Sequence, residues 1–126
     1  MNILVWILQS LLALVFLAHG LMMVFPPEAV AVQMNAALPR WFQLFIGTTE
    51  VLAAVGLTLP AITRVQPWLI SASAVGLMIV MISATVFHLQ RGEISSAIVT
   101  VVLLAMSSYV AYMRWRVMPI RPRTVV

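Results

Sequence analysis

The chain has no cysteine, no lysine and only three acidic residues among its 126 positions. Without cysteine there are no disulfides, no thiolate metal centres and no cysteine nucleophile. Without lysine, all seven cations are arginines, scattered over the loops and gathered in a short terminal stretch. No basic patch with interleaved aromatics exists, so no nucleic-acid partner is expected. Charge as a whole is scarce: 8% of residues are charged and 63% are hydrophobic, where a soluble domain carries about 25% charged. No water-soluble domain of this size could hide that much apolar surface. The composition defines an integral membrane protein with one domain and a small interior. Phosphate loops, dinucleotide fingerprints and hydrolase elbows are also missing. The serines, among them Ser71, Ser73, Ser83, Ser95, Ser96, Ser107 and Ser108, lack the base partner of a nucleophile. They are expected to bond their own helix carbonyls.

What remains is four apolar runs. The first extends from about residue 3 to 25 and stops at Pro26-Pro27. It lacks a basic n-region and is too long for the apolar part of a signal peptide, so it is read as a retained span. The second runs from about 41 to 59, with Pro60 and the turn through Arg64 expected to end it. The third opens at Pro67, a favoured first helical position, and reaches about 89. The fourth covers about 94–113, closed by Arg114-Trp115-Arg116. Each has the roughly 20 residues that crossing a bilayer requires. Between the first two, Val30, Met34 and Leu38 recur at helical spacing, which predicts a short interfacial helix over 28–38. Short connections imply antiparallel neighbours, hence an all-α, up-down transmembrane four-helix bundle.

Cation counting sets the orientation. Inside termini put Arg64, Arg114, Arg116, Arg121 and Arg123 in the cytoplasm and leave Arg40 and Arg91 outside, which the positive-inside rule favours. Trp6, Trp41, Trp68 and Trp115 fall near span ends, as an aromatic belt would. The basic tail over 114–126 reads as a cytoplasmic anchor that touches anionic headgroups. The nine methionines, including Met22, Met23, Met78 and Met81, read as lipid-facing or gap-filling side chains.

Against this background Glu50 stands out. It lies about 13–14 Å into the second span, near the middle of an apolar core of roughly 30 Å. A carboxyl at that depth needs a partner or a proton and marks a candidate site. His19 is about 9 Å inside the same outer boundary, and His88 closes the third span on that side, one turn before Arg91. Thr49 and Thr85 add hydroxyls. Glu50, His19, His88, Thr49, Thr85 and Arg91 are therefore the candidate ligand-binding residues of a cavity open to the outer half. Depth alone does not say that their helices face each other. The bland alternatives are a hydrogen-bonded structural Glu50, a packing His19 and an interfacial His88. Gly20, Gly47, Ala54, Gly56 and Ala84 are the small residues expected to let helices approach closely. No local spacing supports a metal or haem site, because each candidate ligand lies on a separate helix.

Several of these motifs together resemble the DoxX-like family. Gly47-Thr48-Thr49-Glu50, followed by Gly56-Leu57-Thr58-Leu59-Pro60, is similar to that family's second-helix signature. Phe16-Leu17-Ala18-His19-Gly20 resembles its first helix. Ala84 through His88, with the turn to Glu93, resembles its third, and Tyr112-Met113-Arg114 the end of its fourth. One departure stands at Met23, where relatives often carry lysine. Its loss removes an obvious cation for Glu50 and favours a protonated carboxyl. The resemblance implies a bacterial cytoplasmic membrane. It also implies company: some relatives are subunits linked to quinone-coupled sulfur oxidation or oxidative-stress complexes, and a distant animal branch assists assembly of other membrane proteins.

Two functions follow as expectations. The first is a non-catalytic accessory subunit that binds a protein partner or lipid, with no cofactor and no catalytic residue. The second is a redox-associated protein that holds a quinone-like ligand near Glu50, His19 and His88. The lack of any redox-active side chain favours the first.

Overall fold

A computed structural model describes residues 2–124. Four long helices form: α1 (Asn2–Val24), α3 (Arg40–Thr63), α4 (Trp68–Gln90) and α5 (Ile94–Tyr112). A short α2 (Glu28–Ala37) precedes α3, and a π-helical turn (Met113–Val117) extends α5. At ~1.5 Å per residue a helix of 23 residues such as α1 spans about 34 Å, enough to cross the apolar core of a bilayer. All four are long and apolar enough to do so.

Around the bundle the order is α1, α3, α4, α5, with α1 meeting α5 least extensively and α1 lying diagonally across from α4. Successive spans are thus antiparallel neighbours, as the short turns require. The core is a thin axial seam of Leu12, Phe16, Leu57, Ile70, Leu77, Met81 and Val110, with alanines between them. Most other large apolar side chains point outward: Ile3, Leu14, Leu52, Ile62, Ile79 and Val102 are all exposed. Such a surface would aggregate in water. In lipid it is the solvated face.

Two glycines set the α1–α3 spacing. A methyl group at Gly20 would lie 2.8 Å from the Gly47 carbonyl oxygen, and one at Gly47 would lie 2.7 Å from that of Gly20. Only hydrogen fits on either side, so the two backbones touch. Farther along, Gly56 leaves the space that Ser73 Oγ of α4 fills. Ala54 is buried in the seam and Ala84 packs against it.

The second span departs from expectation. Pro60 does not end it: α3 runs on to Thr63, with Pro60 buried inside the helix. Proline there removes only one backbone bond, and packing against neighbouring helices holds the flanking turns. The stop comes at Arg64, whose left-handed backbone (φ 59°) caps the helix through its N–H to the Pro60 carbonyl, 2.9 Å. Likewise Arg114-Trp115-Arg116 does not close α5 but continues it as the π-helical turn. Pro67 sits one position earlier than expected, capping α4.

The interfacial helix forms over 28–37, with none of its residues buried. It is tied to α3 through Gln43, whose Nε2 donates to Asn35 Oδ1 at 3.0 Å and to the Leu38 carbonyl at 2.9 Å.

Candidate functional site

Glu50 is buried, 1% exposed, and its Oε2 lies 2.6 Å from His19 Nδ1. Helix geometry explains the meeting. With Gly20 level with Gly47, His19 sits one residue and Glu50 three residues farther into the bundle. Their Cα positions differ in depth by about 3 Å. Side chains lean toward the N-terminus of their own helix. Since α1 and α3 are antiparallel, His19 and Glu50 lean toward each other and close the gap. The resulting carboxyl–imidazole pair can be net neutral, whichever atom holds the shared proton. That relieves the cost of a lone buried carboxylate.

His19 is 46% exposed on the outer surface of the bundle. Nδ1 is engaged by Glu50, whereas Nε2 makes no hydrogen bond among the described residues. Its ring therefore presents one polar nitrogen from a membrane-spanning segment toward whatever lies beside α1 and α3.

The other four candidates do not join this pair. Thr85 is bonded to Thr100, hydroxyl to hydroxyl at 2.8 Å, and donates to its own helix at the Met81 carbonyl, joining α4 to α5. His88 Nδ1 lies 3.1 Å from Glu93 Oε2 in the α4–α5 turn. Arg91 Nε donates to Glu93 as well, and its guanidinium packs over Phe87. Thr49 donates to the Phe45 carbonyl at 2.8 Å, within α3. The single outer-half cluster expected from depth is thus two separate pairs of elements. The reason is angular position: α1 and α4 are diagonal in the bundle, so equal depth does not bring them together. In the turn, Arg91 first, and His88 after it, hold the Glu93 carboxyl below its ordinary value.

The cation absent at Met23 has a counterpart. Arg40 reaches from α3 to donate to the Met23 carbonyl at 2.8 Å and to that of Val24, with Gln43 Oε1 at 3.3 Å. It caps the C-terminus of α1, where the helix dipole favours a positive charge. It does not pair with Glu50, whose hydrogen-bond partner is His19.

A second polar network lay outside the sequence reading. Arg114 is buried at 5% exposure, and so is not the headgroup-facing anchor its tail position suggested. Its Nε donates to Gln9 Oε1 at 2.8 Å, and Nη1 to Asn2 Oδ1 at 3.0 Å and the Met118 carbonyl at 3.2 Å. Gln9, also buried, donates onward to the Leu57 carbonyl. Trp6 lies under the guanidinium, 5.0 Å from its carbon, and so differs from Trp41, Trp68 and Trp115, which are exposed. An amide within the apolar run of the first span was the available signal. Its arginine partner, 105 residues away, could not be read from sequence.

The fold and this pair define a four-span helical membrane protein with a buried carboxyl held by a half-exposed imidazole. The chain belongs to the DoxX-like family, whose pattern it matches over residues 7–110. The match takes in His19 and Glu50, the second and third spans whole and most of the first and fourth. No curated protein and no solved structure matches the chain.

Proposed function

We propose that the protein is an accessory membrane subunit that presents the His19–Glu50 pair laterally to a partner within the bilayer. The observation that supports it is the asymmetry of the pair: Glu50 is buried while the His19 ring is half exposed. A polar nitrogen facing hydrocarbon is costly, and a hydrogen-bonding group on a neighbouring helix relieves that cost. The chain has no cysteine to act as nucleophile or redox group, which supports a binding role over a catalytic one.

A second reading has its own support. The same nitrogen, reached from lipid, suits the carbonyl of a quinone-like molecule. His88 and Thr85 are engaged elsewhere, so such a ligand would meet His19, with the buried Glu50 behind it.

Affinity purification from native membranes, with mass spectrometry of bound proteins and lipids, tests both. A stoichiometric membrane protein lost in His19→Ala supports the subunit. A quinone lost in that variant, with no protein partner, supports the ligand reading. A monomer with neither bound overturns both.

A further inference from the structure

We propose that the arginine-rich end of the bundle contains a built site for one anionic phospholipid, phosphate first, with an acyl chain running along α4. Five arginines lie at this end: Arg64, Arg114, Arg116, Arg121 and Arg123. Glu28, Glu50 and Glu93 all lie elsewhere, so no acidic side chain stands at this end. The tail does not hang free. The Arg123 N–H donates to the Arg64 carbonyl at 3.0 Å, which folds residues 118–124 back against the α3–α4 turn.

That fold-back creates a cleft of about 950 Å³ with the exposed Arg64 and Arg123 at its charged mouth and the buried Arg114 also in its lining. Its wall continues over Trp68, Ala72 and Val75, about 10 Å down α4 toward the middle of the membrane. A free anion needs only the mouth. The apolar wall, at the depth where acyl chains begin, commits the site to a lipid. Arg114 adds an independent observation: its Nη2 is enclosed and has no hydrogen-bond partner among the described residues. Buried donors are almost always satisfied, so this end of the guanidinium is short of one acceptor. A turn of the guanidinium toward the cleft it lines would bring Nη2 to a phosphate oxygen, which matches the planar fork of an arginine.

The site is separate from the His19–Glu50 pair, and its test does not depend on any partner. Full-length protein in nonionic detergent is titrated with phosphatidylglycerol, phosphatidylcholine or inorganic phosphate, and bound lipid is counted by native mass spectrometry. One phosphatidylglycerol should be retained in preference to phosphatidylcholine. Arg123→Gln and Arg64→Asn should each weaken it about five- to tenfold. Arg116→Gln removes the same charge from outside the cleft and should leave binding unchanged. Asparagine suits the left-handed backbone at Arg64; if that variant does not fold, Arg123→Gln decides alone. Equal retention of phosphatidylcholine, or displacement of the lipid by inorganic phosphate at similar concentration, would overturn the proposal. So would an equal loss in Arg116→Gln, which would mean diffuse charge attraction only.

Discussion

His19 and Glu50 meet at 2.6 Å beside the close backbone contact of α1 and α3 at Gly20 and Gly47. The glycines fix the helix spacing and the opposed lean of the side chains closes the remaining distance. The carboxyl is then satisfied inside the bundle while the imidazole faces out. The pair and the glycine contact are one structural unit, and changing either should disturb the other.

The two members should not be equivalent on substitution. Glu50→Gln keeps the shape and a hydrogen-bonding terminus, and should cost about 1 kcal/mol or less. His19→Ala leaves the buried carboxyl without its partner, and should cost about 3 kcal/mol. Thermal melts in detergent, followed by circular dichroism, measure both. A His19→Ala protein as stable as Glu50→Gln would mean that the pair does not carry the buried carboxyl.

A single methyl group should separate the helices. Gly20→Ala or Gly47→Ala places a carbon under 3 Å from a backbone oxygen, which no rotamer change can relieve. Each should destabilise by about 1–3 kcal/mol. Gly76, where an added carbon meets nothing within 4 Å, is the internal control. A similar loss in Gly76→Ala would point to a general intolerance of alanine.

Gln9→Leu tests the second network. It removes the acceptor of Arg114 Nε and the donor to the Leu57 carbonyl while keeping the volume. Stranding a buried arginine in this way should cost about 3 kcal/mol. Recovery in the double variant Gln9→Leu/Arg114→Met would show that the unpaired charge, not the lost volume, caused the damage.

The α4–α5 turn should respond to acid. Glu93 has its carboxyl held below its ordinary value of 4.5 by Arg91 and, secondarily, His88. A depressed folded-state pKa gives stability that is complete above the unfolded value and is lost as pH falls through the folded one. The difference in melting temperature between the native chain and Glu93→Gln should therefore be complete at about pH 6 and shrink steadily as the pH falls below 4.5. A constant difference across that range would exclude the carboxylate as its source.

Orientation can be read directly, because the chain has no native cysteine. With both termini in the cytoplasm, Gln33→Cys on α2 should react with a membrane-impermeant thiol reagent in intact cells, and Arg116→Cys only after the membrane is opened. The reverse pattern would invert the topology.

Sequence alone determined the class, the four spans and their antiparallel order. Twenty-odd apolar residues between polar turns admit almost no other structure in lipid, where every backbone group must be bonded within its own helix. It also singled out Glu50 and His19, since a polar group in such a run is too costly to be incidental. The partnerships were another matter. Depth along a helix is a linear count, but contact depends on rotation about the axis and on which helices adjoin. That is why His88 and Thr85, at suitable depths, belong to the α4–α5 side. The persistence of α3 through Pro60 and the burial of Arg114 against Gln9 likewise came from packing between distant segments. Only the tertiary structure decided these, because apolar runs without a sharp polar face do not record which side of each helix turns inward.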